Sequence, residues 1–551
     1  MPNFTTKQGA LFYCYEIDEE LASKINKFLL ILETSGVSKI IDKAIKEQSI
    51  GRPSLNPYLM FAAIVYGFAM GSPTLRELET SCRYDIRFMY ILGDKTPDHT
   101  TFSKYINKVI RPYSDEIFSC VVKAYLSYCN IALDECHLDG TKFEAKPNKY
   151  KVVFKPTTYH NKLSDKVRTL LSALNLSDGV PSEGIIPSLI LANKVKETER
   201  LPIPEAKAEA RSLRGKIISL YQYLLKSLEY EEKERICGDR RNSYYKTDHD
   251  ATAMCLKADY YSGLGSNMHA AYQIQSIACC GFVVSYYVSQ DRNDMHTFIP
   301  SLERFYSMYG KYPKRITADS GYGNLENYNF CKTNNIEAYV KYLAWQGECS
   351  GRRPALYELQ NDGSIKCIYG QTATRTEVQG RRTRIKNGEF YQVDCPKDCP
   401  FMIYCRRRMK EKTAKYRVFE INIEYQRLKQ EARDRLLSVK GIELRVNRSC
   451  QIEGVFGITK YNMGYNRIRR VGLNRVSAEY MLTVLGLNTR KIFKFLDGKA
   501  NFQYWVAPED IQPETFKKPS AKRLANSCRK KHQPGPNEKA KSSYKYKKRG
   551  R

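Results

Sequence analysis

Residues 137–150 read HLDGTKFEAKPNKY. They lie within a stretch, 131–157, whose pattern is that of β-structure. One aspartate, Asp139, stands between Leu138 and Gly140, ahead of Lys142, Lys146 and Lys149. A carboxylate inside a strand is costly unless a cation meets it, because burial disfavours the charged form. Read as a core strand carrying one acid, this stretch makes the chain an α/β protein and raises the question of which cation the acid serves.

Two further acids interrupt apolar surroundings in the same way. Asp319 ends the strand-like RITADSG before a Gly-rich turn, and Glu453 lies in the helical QIEGVFGITK. Oxygen ligands of this kind suit a hard cation such as Mg²⁺ or Mn²⁺. Two such ions held together can run an in-line phosphoryl displacement. Lys460 follows Glu453 by two helical turns and shares its face, placing a candidate phosphate contact beside the acids. Taken singly, each acid reads equally well as part of a surface salt bridge.

Composition narrows the partner. The 551 residues carry 90 Lys plus Arg against 59 Asp plus Glu, a formal charge of +31. Such an excess attracts a polyanion over long range, and nucleic acid is the first candidate. A membrane is the other common polyanion, but the longest apolar run, YLMFAAIVYGFAM at 58–70, falls short of the roughly 20 residues needed to span one. It reads as a buried helix. The N-terminus lacks a signal-peptide pattern, so a cytoplasmic, reducing location is expected for the 17 cysteines.

Periodicity divides the chain into an all-α N-terminal region, 1–125, whose segment from Thr74 resembles a helix-turn-helix with Lys104, Lys108 and Arg111 along its last helix. A plain helical bundle with a basic face fits that segment as well. The first part of the α/β core follows at 126–159, then a helical insertion at 160–240 and more core at 241–342. An irregular Cys-containing insertion is expected at 343–420, a helical end of the core at 421–500, and a basic disordered tail at 516–551.

Several words of the chain, in order, resemble bacterial insertion-sequence transposases of the DDE type. RPSLNPYLMFAAIVYGFAMGSPTLRELETSCRYDIRFMYILGDKTPDHTTFSKY is similar to their N-terminal domain and HLDGTKFEAKPNKY to their first-aspartate strand. TADSGYGNLENY is similar to the second-aspartate strand, and GIELRVNRSCQIEGVFGITKYNMGYNRIRRVG to the glutamate helix. The resemblance implies an RNase H-like core with helical and irregular insertions, and Asp139, Asp319 and Glu453 as a triad holding two Mg²⁺ or Mn²⁺ ions. It further implies cleavage of transposon ends, joining of the 3′-hydroxyl to target DNA, and a homodimer or larger synaptic complex. Lys142, Arg445, Arg448 and Lys460 are the expected DNA-phosphate contacts. Hairpin-forming relatives carry Y-x2-R-x3-E-x6-K. Here Glu453 and Lys460 fit, Val446 and Ser449 take the Tyr and Arg places, and Arg448 is displaced by one residue.

Cys367, Cys395, Cys399 and Cys405 form a cluster open to two readings, a structural Zn²⁺ site or buried free thiols. Two other functions compete with transposition: a metal-dependent DNA nuclease without strand transfer, and a non-catalytic DNA-binding protein derived from a transposase. The intact acid set argues against the second.

Overall fold

The computed structural model describes residues 17–45, 55–71, 73–93, 95–173, 204–256, 267–378, 382–407, 415–499 and 508–530. Parts of the expected helical insertion (174–203) and tail (531–551) lie outside them. The architecture is mixed helix and sheet, with helices filling the N-terminal region.

The expected β-region supplies β1 (Glu135–Glu144) and β2 (Val152–Phe154). β2 pairs with β3 (Ser243–Tyr245) in a two-stranded ribbon. β4 (Thr252–Met254), β5 (His269–Cys279) and β6 (Phe282–Ser289) follow, then β7 (Arg315–Gly323) and β8 (Glu337–Tyr342). β5 is antiparallel to β1 and to β4 and β6, whereas β1, β7 and β8 are mutually parallel, giving the order β4-β5-β1-β7-β8 with β6 also on β5. Cys280 (φ 48°) and Gly281 (φ 75°) make the two-residue turn between β5 and β6. Positive φ at both positions matches the right-handed twist of the hairpin.

One hydrophobic core joins this sheet to the N-terminal helices. The apolar run at 58–70 is the helix Pro57–Met70, with every residue from Met60 to Ala69 buried. A helix apolar on all sides has to be enclosed, and here the long helix Leu473–Leu496 closes it in. A Cβ on Gly486 would lie 2.4 Å from the backbone carbon of Phe68, so the two helices touch backbone to backbone at a point only glycine permits. Along the same long helix, the buried Asn488 amide accepts from Val283 N (2.9 Å) and donates to its carbonyl (2.8 Å), pinning the helix to β6.

Asp98 caps the helix His99–Tyr105, which continues through a π turn, Ile106–Ile110, toward the helix Ser114–Tyr128. Among the described residues no single helix is long and apolar enough to cross a membrane.

Two expectations are corrected. The region read as irregular at 343–420 contains a second, antiparallel sheet in the order β13-β12-β11-β10-β9. It is formed by β9 (Tyr357–Leu359), β10 (Ile365–Cys367), β11 (Thr372–Thr376), β12 (Glu389–Asp394) and β13 (Tyr416–Ile421). Its strands are three to six residues long, and its core is six buried side chains, including Ile365, Val393, Phe419 and Ile421, too little apolar sequence to show a period. The tail read as disordered from Phe516 is ordered as far as Lys530. Phe516 packs edge-on to Trp345 at 5.2 Å, and the helix Ala521–Lys530 buries Leu524.

Replacing Gly486 with Ala is expected to overpack the helix contact and cost about 1–3 kcal/mol. Gly215→Ala, where nothing lies within 4 Å of the added carbon, is expected to be neutral or to stabilise by up to about 1 kcal/mol. Thermal melts of the two variants beside the parent protein check the contrast.

Candidate active site

β1 and β7 run parallel with His137 opposite Thr317. Two residues past this last pair come Asp139 and Asp319, near enough for the Asp319 charge to raise the Asp139 pKa. Each carboxylate is fixed by a nearby amide: Gly140 N donates to Asp139 Oδ1 at 2.9 Å, and Gly321 N to Asp319 Oδ1 at 2.8 Å. His137 is fully enclosed and hydrogen-bonds Thr317; burial drives its pKa down to about 3, so it is a neutral link between the strands.

Glu453 reaches the pair through Arg448. The Arg448 guanidinium donates from Nη1 to Asp139 Oδ2 (3.1 Å) and from Nη2 to Glu453 Oε1 (3.5 Å). Arg448 is buried, whereas the Glu453 side chain is 59% exposed. The backbone between them, Ser449–Glu453, is a π turn. A π turn spans five residues where an α turn spans four, which brings Arg448 and Glu453 onto one face despite the extra residue between them. That is the structural counterpart of the one-residue displacement in the sequence motif. Lys460 anchors the following segment to β1 through Thr141 Oγ1 (2.6 Å) and the Lys142 carbonyl (2.9 Å).

Sequence reading missed Asp294, from the 3₁₀ turn Asp294–His296 after β6. Its Oδ1 accepts from Gln275 Nε2 (3.1 Å), from Gln273 Nε2 and from Tyr322 (3.5 Å). A Cβ on Gly140 would lie 2.8 Å from Asp294 Oδ1, and one on Gly321 would lie 3.3 Å from Oδ2 and 3.1 Å from Asp319 Oδ1. Asp294 thus packs against the residue after Asp139 and the residue two after Asp319. The only sequence signal was an acid soon after a strand end, which Asp291 gives equally. Lys341 of β8 also faces this cluster: burial chiefly lowers its pKa, with Arg448 and Arg445 adding to that and Asp319 and Glu453 opposing it.

Burial pushes the Asp139 pKa up to about 6; Arg448 opposes the rise, while Asp319 and Asp294 add to it. Asp294 is raised as well, by burial first and then by Asp319, against its bond from Gln275.

Among the described residues, no group of three or more His, Cys, Asp or Glu side chains is already arranged to hold a metal ion. The four cysteines do line one small cavity of about 20 Å³ with Met402, Phe419 and Arg417, and Arg417 Nη1 lies 3.2 Å from Cys405 Sγ. None of the four is in a disulfide. Of the expected phosphate contacts, Arg445 is turned away from the acids, paired with Glu514 at 2.8 Å and lying over the Trp345 ring. Lys142 Nζ reaches the Cys255 carbonyl at 3.4 Å. All four expected contacts are engaged with the chain itself.

The raised Asp139 pKa carries a definite sign. The folded protein holds this proton more tightly than the unfolded chain, so ionised Asp139 opposes folding, and the penalty grows from about pH 4 to its full size above about pH 6. Asp139→Asn is expected to stabilise the metal-free protein at pH 7.5 by about 1–3 kcal/mol. The gain should vanish below about pH 4, as read from melting temperatures across that range.

Two family models match the chain. One, described as a transposase DDE domain, covers residues 367–493 and so contains Glu453, Lys460 and the four cysteines. The other, described as a transposase domain (DUF772), covers residues 16–108 in the helical N-terminal region. Asp139 and Asp319 lie between the two matched stretches. No curated protein and no solved structure matches the chain. Two transposase-domain matches in one chain, the DDE domain following the helical one, indicate an insertion-sequence transposase of the DDE type.

Proposed function

We propose that the protein cleaves the ends of its transposon and joins them to target DNA, with Asp139, Asp319 and Glu453 as the acting carboxylates of an RNase H-like core. The observation that carries the reading is the approach of Asp139 and Asp319, each two residues past the paired His137 and Thr317 on parallel strands, with Arg448 linking Asp139 to Glu453. The sheet supports it too: antiparallel β6, β5 and β1 continue into parallel β7 and β8, the arrangement expected of that core.

The donor set fits divalent cations. Carboxylate oxygens are the ligands Mg²⁺ and Mn²⁺ prefer, and Asp139, held partly protonated by burial beside two other acids, gains most from a nearby positive charge. Asp139, Asp319 and Glu453 would hold the ions. When bound, such ions supply Lewis-acid stabilisation of the charge that builds on the phosphate.

The chain's own residues do the positioning. The amides of Gly140 and Gly321 fix the two aspartates, and Lys460 ties the Glu453 segment to β1. In the first step water attacks the phosphodiester at the transposon end, and the departing 3′-oxygen takes up a proton to become a hydroxyl. In the second that hydroxyl attacks a target phosphodiester, expelling a target 3′-hydroxyl. Because one phosphodiester is exchanged for another, joining needs no nucleotide cofactor. Joining two ends to one target calls for at least two copies of the site, so the working form is a dimer or larger assembly.

With a labelled duplex carrying the element's flanking repeats, a plasmid target and Mg²⁺, the parent protein is expected to yield joined products. Asp139→Asn and Glu453→Gln should each lower their yield at least about 100-fold, and a chelator should abolish it. Cleavage without joining would replace this reading with that of a nuclease. Unchanged joining in either variant would remove that residue from the proposed set.

A further inference from the structure

The four basic residues expected to meet DNA phosphates are engaged internally, so a chain of charge +31 must present another cationic surface to a duplex. A cleft of about 640 Å³ opens where the N-terminal helices meet the start of the long helix Leu473–Leu496. It is lined by Arg111, Lys146, Arg469, Arg470 and Arg475, with Glu479 as its one acidic residue. Among the described residues none of these five cations forms an ion pair. The buried Glu479 carboxylate is occupied largely by backbone, accepting from Arg469 N at 3.1 Å and Arg470 N at 3.0 Å. Those two bonds fix the segment whose arginines line the cleft. Burial, joined by Arg475 and Arg111 and opposed by Glu479, lowers the pKa of Arg470. Positive charge is therefore packed here beyond what the chain neutralises.

The cleft is attached to the acids through β1. Past its end, Ile468 N donates to the Glu144 carbonyl (2.8 Å), and Arg467 Nη2 to the Lys146 carbonyl (3.1 Å). Lys146 lies two residues past the end of β1 and seven from Asp139, a separation of at most about 23 Å. That is the length of roughly seven base pairs of B-DNA at 3.4 Å each.

We infer that the Arg111, Lys146, Arg469, Arg470 and Arg475 cleft grips the sugar-phosphate backbone of duplex DNA within about seven base pairs of the phosphate presented to the acids. The inference rests on the transposase reading for the identity of that DNA. Contacts of this type hold register without reading sequence, so the cleft sets where the duplex lies and not which repeat is chosen.

Lys146 and Arg475 are exposed, so Lys146→Gln with Arg475→Gln leaves packing alone. Binding to a 30-base-pair duplex, followed by fluorescence anisotropy against salt concentration, should show the slope of log K on log salt shallower by about 2, and affinity should fall on every sequence tried. A control, Lys311→Gln with Lys332→Gln, removes the same charge from exposed positions near the start of β7 and the end of the helix Leu325–Thr333, and should leave the slope unchanged. Equal changes in the two double variants, or none in the first, overturn the inference. So does displacement of the duplex by inorganic phosphate at constant ionic strength, which would mark a small-anion site. Asp139→Asn should bind with the parent slope. A shallower slope for the cleft variant without joined products from the parent would leave the cleft standing and the transposition reading fallen; joined products with an unaltered slope would do the reverse.

Discussion

Asp139 and Asp319 stand on strands hydrogen-bonded to one another, so their mutual repulsion is built into the sheet and is not relieved by a change of rotamer alone. Much of the surrounding structure answers that repulsion. Arg448 is buried against Asp139 and tied to Glu453, the amides of Gly140 and Gly321 each donate to one carboxylate, and Gln273, Gln275 and Tyr322 hold Asp294 in place. Even so, Asp139 stays well above the ordinary carboxylate range. Apolar replacement of a buried charged group is often stabilising, and burial penalises ionised Asp139 here. On the proposed reading, that is the cost expected where a cation and a phosphate are to meet.

The strands that carry these acids were legible because a single aspartate interrupts otherwise apolar surroundings in both β1 and β7. Asp294 was not legible. It sits in a short turn with Asp291 close by, and only the fold brings its carboxylate against Gly140 and Gly321. Nor does any residue pattern announce a π turn, so Arg448 looked one place out of step when it is in step on the folded helix. The second sheet escaped because its strands are too short, and too polar on one face, to show a period.

Charge was legible as a total but not as a surface. Arg445 and Lys142 are near the acids in sequence or on the same strand, and proximity made them candidates for DNA contact. Each has a partner within the chain, Glu514 and Trp345 for Arg445 and the Cys255 carbonyl for Lys142, whose charge also bears on Asp294. Conversely Arg111 and Arg470 are 359 positions apart and share a cleft because the long helix packs on the N-terminal helices at Gly486.

That packing has a mechanical consequence. The N-terminal helices, the long helix and the acid-bearing sheet share one hydrophobic core, so the helical region is not a module that binds DNA at the end of a tether. A duplex seated in the arginine cleft would be positioned relative to Asp139 by the same contacts that hold the fold together. Catalytic geometry depends on placement to within about an ångström, which a flexible linker does not provide. A shared core joined to β1 by the Glu144 and Lys146 carbonyls does, and this is the physical reason to find the helical region fused into the core of the chain that carries the acids.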